Sequence, residues 1–325
     1  MALTPNDANH ALQILAGTEG RIKGHQFEIS LSKLINDFKG EIPLINIQKT
    51  LLRGNIVNSL LSKTMQYINC DNVNKIEAIA LGALATAEEG KQWLEVHGIK
   101  VRACKSDILL SIYSSDSIIR TIGVSVKQCN NKTPTNAQLF FTTANAFIEL
   151  LRSNNIPISE NGLNAMKQFC GDIGFRPMDD INIKNRIIDQ RRFFWEEINE
   201  VGKLELEKLF TEKQKEISKL LFQKAYKNDP FIPELLLHKT KLKEEGLEQE
   251  YALYTIDELV DLSYKYGGFN KEKYRVKTGS GKEPIVMGNT HEAPRFGIIQ
   301  MQRGGQTQHP TQLQFNLKAG YFYHI

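Results

Sequence analysis

Apolar residues recur at helical spacing from Ala11 to about Ile35, although Gly17, Gly20 and Gly24 interrupt the run. Within it Phe27, Leu31, Leu34 and Ile35 share one face, the expected core side of a helix. The same period predicts helices from about Gln48 to Met65 and from Lys75 to Val96, the second closed by Gly98. Then the period falls to two. Asp107–Tyr113 and Ile118–Lys127 are β-rich runs separated by Ser114-Ser115-Asp116-Ser117, a good hairpin turn. An apolar helical run follows from about Asn136 to Leu151, ended by Asn154-Asn155-Ile156-Pro157. Ile183 to Lys227 interleaves charges with apolar residues as a long amphipathic region of one or two helices, broken by Asp229-Pro230-Phe231-Ile232-Pro233. Thr255 to Tyr266 reads as a helix with Thr255 and Glu258 at capping-box spacing.

Alternation returns near the carboxyl end. Phe296–Arg303 and Thr311–Lys318 flank an Arg303-Gly304-Gly305-Gln306 tip. Gln300 and Gln302 share a face, and Gln312, Gln314 and Asn316 share one opposite Leu313, Phe315 and Leu317. The expected arrangement is a hairpin or sheet edge with apolar residues inward and a row of amides outward. Gln and Asn bond bidentately to adenine and Arg to guanine, and a two-stranded ribbon fits the major groove. The plainer reading of such a row is an uncharged, solvated face.

Composition decides how far to press that reading. The chain has 325 residues, of which 41% are hydrophobic and 24% charged, enough for a real core and too apolar for wholesale disorder. The net charge is only +4. Its position is more telling: Phe269–Ile325 holds 8 basic and 3 acidic residues, while the remaining 33 basic and 34 acidic residues nearly cancel. Lys271, Lys273, Arg275, Lys277 and Lys282 thus precede the amide rows and are suited to neutralise phosphates, which gives affinity without sequence choice. Cys70, Cys104, Cys129 and Cys170 form no CxxC pair, so free thiols in a reducing cytosol are expected. Residues Met1–His10 show no basic segment followed by an apolar run, and no stretch reaches the roughly 18 apolar residues of a membrane span. A soluble cytoplasmic protein without membrane contact is expected.

The hairpin is where chemistry concentrates. In a strand Ser125 and Lys127 point one way and Val124 and Val126 the other. With the turn near Ser115, Asp107 comes beside Ser125 and Lys127, so a carboxylate, a hydroxyl and an ammonium converge. Phosphodiester hydrolysis uses such a set. Mg²⁺ is held by one or two carboxylates and substrate oxygens, it lowers the pKa of bound water, and a lysine stabilises developing negative charge.

Asp107, a hairpin and then Ser125-Val126-Lys127 resembles the PD-(D/E)xK nuclease core of type II restriction endonucleases. The Gly20-Arg21-Ile22-Lys23-Gly24-His25-Gln26-Phe27-Glu28 stretch is similar to the helix preceding that core, which often carries a Glu, and the resemblance spans about residues 20 to 150. Two positions depart from the pattern: Ser106 stands for a structural proline and Ser125 for a metal-binding acid. A working site therefore needs another carboxylate, with Glu28 the first candidate and Glu149 the second.

The resemblance implies an α/β fold: a restriction-endonuclease-like mixed sheet flanked by helices, then a helical middle and a basic β-rich carboxy-terminal region. Residues 1–182 would be the nuclease core with its amino-terminal helices and 183–325 the helical and DNA-recognition region, packed as two domains or as one. It implies Mg²⁺-dependent hydrolysis of both strands of double-stranded DNA at a short sequence, by a homodimer if the target is palindromic. Asp107 and Glu28 would bind the metal, Ser125 would assist and Lys127 would position the nucleophile. DNA contacts would come from Gln128, Asn130, Gln300, Gln302, Arg303, Gln306, Gln312, Gln314, Lys273, Arg275 and Lys277. Two alternatives stay open: a repair or junction nuclease of the same core, and a DNA-binding protein that does not cut.

Lys277-Thr278-Gly279-Ser280-Gly281-Lys282 lacks the spacing of a phosphate-binding loop. The histidines form no zinc-like cluster, Cys129 has no paired histidine, and Phe193-Phe194-Trp195 reads as core or dimer packing.

Overall fold

The structure is a computed structural model, and it describes residues 8–42, 51–70, 73–81, 94–101, 104–115, 117–128, 136–184, 189–239, 250–275, 290–303 and 311–318. In chain order the elements begin with α1 (Ala8–Asn36), β1 (Leu51–Arg53), α2 (Ile56–Ile68), β2 (Lys75–Ala80), β3 (Leu94–Val96), β4 (Ile99–Val101), β5 (Ile108–Ser114) and β6 (Ser117–Gln128). β7 (Ala137–Thr143), α3 (Ala144–Arg152), α4 (Glu160–Cys170), α5 (Glu200–Glu212) and α6 (Gln214–Gln223) follow. The chain closes with β8 (Pro233–Lys239), β9 (Glu250–Thr255), α7 (Ile256–Lys265), β10 (Phe269–Arg275), β11 (Thr290–Phe296), β12 (Ile299–Arg303) and β13 (Gln312–Leu317).

These elements form two compact units, and neither is continuous in sequence. The first comprises residues 1–137, 222–259 and 319–325, and the second residues 138–221 and 260–318. This division differs from a split at residue 182. β8 and β9 return to the first unit because their apolar side chains complete its sheet.

The first unit contains a six-stranded mixed sheet in the order β1-β9-β8-β6-β5-β2. β6 pairs antiparallel with β5 and parallel with β8, so a segment more than 100 residues away lies beside the hairpin. Leu31 and Ile35 of α1 and Leu60 and Leu61 of α2 pack on one face of this sheet, against Ile108, Leu110, Ile122, Val124, Val126, Leu235, Leu237 and Leu253. Burying each such side chain contributes roughly 1.5–3 kcal/mol. The mixed α/β class expected from the sequence is therefore present.

The second unit holds a five-stranded sheet, β10-β11-β12-β13-β7, and an aromatic core. Phe210 meets Phe296 at 4.6 Å, Phe147 meets Phe315 at 4.9 Å, and Phe169 meets Trp195 edge-on at 5.3 Å. Phe194 and Trp195 are fully buried, which fits the core reading of that cluster.

Several elements differ from the periodicity reading. α1 runs through its three glycines without a break, and Leu34 is 55% exposed rather than part of the core face. Lys75–Ala80 is a strand, not the start of a helix. Its Lys-Ile-Glu-Ala-Ile-Ala alternates as well as it spirals, and pairing with β5 (Ile76 opposite Ile112, Ala78 opposite Leu110) decides for the strand. His97 and Gly98 both have positive φ and turn β3 into β4, so Gly98 ends no helix. The helix expected from Gln48 begins at Ile56, where the Asn55 side chain accepts from the Val57 and Asn58 N–H groups. The 136–151 run is strand β7 followed by α3, with Thr143 capping the switch. The long amphipathic region resolves into α5 and α6, starting only at Glu200. α7 has the expected reciprocal cap: the Thr255 N–H donates to Glu258 and the Glu258 N–H to the Thr255 hydroxyl.

Cys70, Cys104 and Cys170 are free thiols, and no helix among the described residues is long and apolar enough to cross a membrane.

Candidate active site

The β5–β6 ladder begins with Ile108 opposite Val124, and Asp107 sits just before it. Its backbone N–H donates to Val124 O (2.9 Å) and its carbonyl accepts from Leu81 N (2.8 Å), so the residue is held on both sides. The segment leading into it is anchored separately. Ser106 donates through Oγ to Phe231 O (2.6 Å), and Asp229 accepts from the backbone N–H groups of Lys105 (2.8 Å), Ala225 (3.0 Å) and Phe231 (3.2 Å). Gly123 lies against this anchor: a Cβ there would overlap Ser106 Oγ and the Ile232 carbonyl. The hydroxyl at position 106 thus fixes the chain at the position where the nuclease pattern it resembles has a proline.

Beyond the ladder's end, the Asp107 carboxylate takes over from the backbone. Its Oδ2 accepts from Val126 N (2.6 Å), Ser125 Oγ (3.2 Å) and Lys127 Nζ (3.5 Å). Lys127 Nζ also donates to Val126 O (3.2 Å). Ser125 is fully buried, whereas the Lys127 and Asp107 side chains are 18% and 22% exposed. The ion pair is therefore reachable by substrate yet shielded enough for its charges to count.

Glu28 joins from α1. It is buried, and its carboxyl is pushed above the ordinary carboxylate range, first by burial and then by the negative charge of Asp107. His25 and Lys127 pull it the other way. A buried carboxyl whose ionisation a second carboxylate makes costlier is a site that a cation relieves. Asp107, Glu28 and the Ser125 hydroxyl offer oxygen donors only, and the bonded Oδ2 leaves Asp107 Oδ1 for a ligand. This chemistry fits Mg²⁺, which takes one or two carboxylates and keeps several waters. Among the described residues no group of three or more His, Cys, Asp or Glu forms a denser metal site.

Other groups here were not singled out in the sequence. Lys105 is buried, and burial with the nearby Lys127 charge brings its ammonium down to about 7. His238 lies opposite Lys127 across the parallel pairing, and burial followed by the Lys127 charge lowers it to about 3. Neither sits in a spacing that would have flagged it. His25 did carry a signal: it lies three residues before Glu28, on the same helical face. Glu149, the second candidate carboxylate, is exposed on α3 in the second unit.

The expected DNA-contact residues divide sharply. Gln128 ends β6, half-buried. In the second unit Gln300 lies opposite Asn316 and Gln302 opposite Gln314, so the two amide rows form one ladder on one face. That face does not point its amides into solvent. Gln300 and Asn316 are 6% and 5% exposed. Gln314 donates to Asn316 (3.0 Å), Asn316 to Gln302 (3.1 Å), Gln302 to Gln300 (2.8 Å) and Gln300 to Glu272 (2.9 Å). Glu272 also meets Lys318 and Arg295. Arg303 is likewise engaged: it pairs with buried Asp189 (3.4 Å) and lies over the Phe194 ring (4.3 Å). Amides bonded to one another along β12 and β13 and once across them account for this burial, because a closed hydrogen-bond chain needs no water. Gln312 is half-buried and Lys273 is exposed. Arg275 ends β10, and its side chain, like Asn130, Lys277, Lys282 and Gln306, lies outside the described residues.

No protein-family model matches the chain, and no curated protein matches it. Among solved structures, the chain is similar to the restriction endonuclease MspI in complex with its cognate DNA, with a TM-score of 0.44 and 12% identity. That likeness covers 80% of this chain and 78% of the other.

Proposed function

We propose that this chain is a Mg²⁺-dependent endonuclease that hydrolyses both strands of duplex DNA at a short sequence, as a type II restriction endonuclease does. The observation that carries the reading is the Asp107 carboxylate, held jointly by Ser125, Val126 and Lys127, with the buried Glu28 carboxyl within reach of its charge. Asp107 and Glu28 would hold the cation. When bound, Mg²⁺ supplies a water of lowered pKa and neutralises charge on the phosphate. The Lys127 ammonium stabilises negative charge on the attacking oxygen and on the phosphoryl group. The Ser125 hydroxyl fixes the Asp107 rotamer by donating to Oδ2.

DNA contact falls to Lys273, Arg275 and Lys277 for phosphates and to Gln128, Asn130, Gln306 and Gln312 for bases. Gln300, Gln302, Gln314 and Arg303 reach bases only by giving up the bonds they make to one another and to Asp189. A palindromic target calls for a homodimer, whose two-fold axis matches that of the site.

The hydroxyl at position 125 favours one other reading, a protein that binds duplex without cutting it. Incubation with plasmid DNA and Mg²⁺ separates them. Discrete fragments support the restriction reading, a smear supports a nuclease without sequence choice, and uncut but retarded DNA supports the binding protein.

A further inference from the structure

His25 stands one helical turn before Glu28 on α1, and its Nδ1 lies 3.2 Å from Glu28 Oε2. A carboxylate only accepts, so an ionised Glu28 requires an imidazole proton on Nδ1. Nε2 is enclosed and has no hydrogen-bond partner among the described residues. Glu28 is therefore the only group there that the ring bonds. An enclosed ring nitrogen is normally hydrogen-bonded, whereas this half-buried ring bonds through Nδ1 alone among the described residues. The ring is oriented toward a single carboxylate, the one that feels the Asp107 charge.

We propose that His25 is a positioning residue for the cation site: its Nδ1–H holds the Glu28 carboxylate in the orientation that shares a cation with Asp107. Glu28 is buried on a helix, and its side chain is otherwise pushed away from Asp107 by like charge. A fixed donor on the preceding turn opposes that displacement. Partners of this kind commonly carry a tenfold to hundredfold share of metal affinity. The inference rests on the metal-site reading of Asp107 and Glu28.

Mn²⁺ binding to the full chain, read from the spectroscopic signal of free Mn²⁺, tests it without any turnover. His25→Ala is expected to weaken Mn²⁺ binding by roughly tenfold to hundredfold. The Mg²⁺ concentration for half-maximal cleavage should rise in step, with the rate at saturating Mg²⁺ close to that of the unaltered protein. His25→Asn places its amide nitrogen where Nδ1 stands and should restore binding. His25→Gln, whose amide nitrogen corresponds to Nε2, should not. This pair carries the test even if the alanine variant fails to fold. Unchanged Mn²⁺ affinity in His25→Ala, or equal behaviour of the Asn and Gln variants, overturns the positioning role alone. Equal Mn²⁺ binding by the unaltered protein and Glu28→Gln overturns the metal-site reading and this inference with it.

Discussion

The Val126 N–H donates to Asp107 Oδ2 at 2.6 Å, so the strand that presents Ser125 and Lys127 is bonded directly to the carboxylate they serve. The β5–β6 ladder stops at Ile108, and the aspartate side chain supplies the next acceptor along β6. Structure and chemistry are joined in that one oxygen.

Asp107 variants should therefore separate the two roles. Asp107→Ala orphans the Val126 N–H and is expected to cost about 1–3 kcal/mol of stability. Asp107→Asn keeps an acceptor and should unfold within about 1 kcal/mol of the unaltered protein. Both should lose Mg²⁺-dependent cleavage. Urea titrations beside cleavage assays check this, and an active asparagine variant would contradict it.

The position of the second carboxylate makes a further distinction. Glu28→Gln should reduce cleavage at least about a hundredfold, because a neutral amide replaces a cation ligand. Ser125→Ala removes only a hydroxyl that steadies Asp107, a bond with a net contribution of about 1 kcal/mol, and should reduce cleavage less than tenfold. Single-turnover rates at saturating Mg²⁺ measure both. The reverse order would make Ser125 the more important ligand.

Glu28 also predicts a pH effect on the metal-free protein. Its folded pKa is raised from 4.5 by burial and by Asp107. The folded state thus binds the proton more tightly than the unfolded chain does. The resulting stability is fully present below pH 4.5 and is lost as pH rises through the folded value. Glu28→Gln should accordingly be more stable than the unaltered protein at pH 7 without metal, and the gain should shrink toward pH 4. Added Mg²⁺ should raise the melting temperature of the unaltered protein and not that of the variant. Melting curves with EDTA and with Mg²⁺ across this range are the measurement.

The hairpin was legible because its physics is local. Val124 and Val126 alternate with Ser125 and Lys127, and a serine-rich turn brings Asp107 back to them. Glu28 is marked by the resemblance around α1, and its sensing of the Asp107 charge follows from α1 lying on the sheet. What escaped was non-local. Lys75–Ala80 carries an ambiguous period, and only β5 beside it selects the strand. The amide rows are visible in the sequence as alternation. Alternation does not reveal that Gln300 and Asn316 face each other and close a chain ending on Glu272. Nor does it show Arg303 bound to Asp189, 114 positions away.

His238 yields a prediction from the same non-local pairing. Burial and the Lys127 charge lower its pKa from 6.5 to about 3, so it is neutral when folded at mildly acid pH. The unfolded chain takes up a proton there that the folded chain does not. Stability should therefore fall as pH drops from 6.5 toward 3. His238→Gln should flatten that decline, read as the urea midpoint against pH. An unchanged slope would mean that other groups set the acid limb.

The central claim is that Asp107 and its partners cut DNA with a divalent cation. Supercoiled plasmid incubated with the unaltered protein and with Asp107→Asn, each with Mg²⁺ and with EDTA, tests it most directly. The expected result is discrete linear fragments from the unaltered protein with Mg²⁺ alone, and intact plasmid in the other three reactions. Intact plasmid in all four across varied target sequences, or equal cutting by Asp107→Asn, would contradict it.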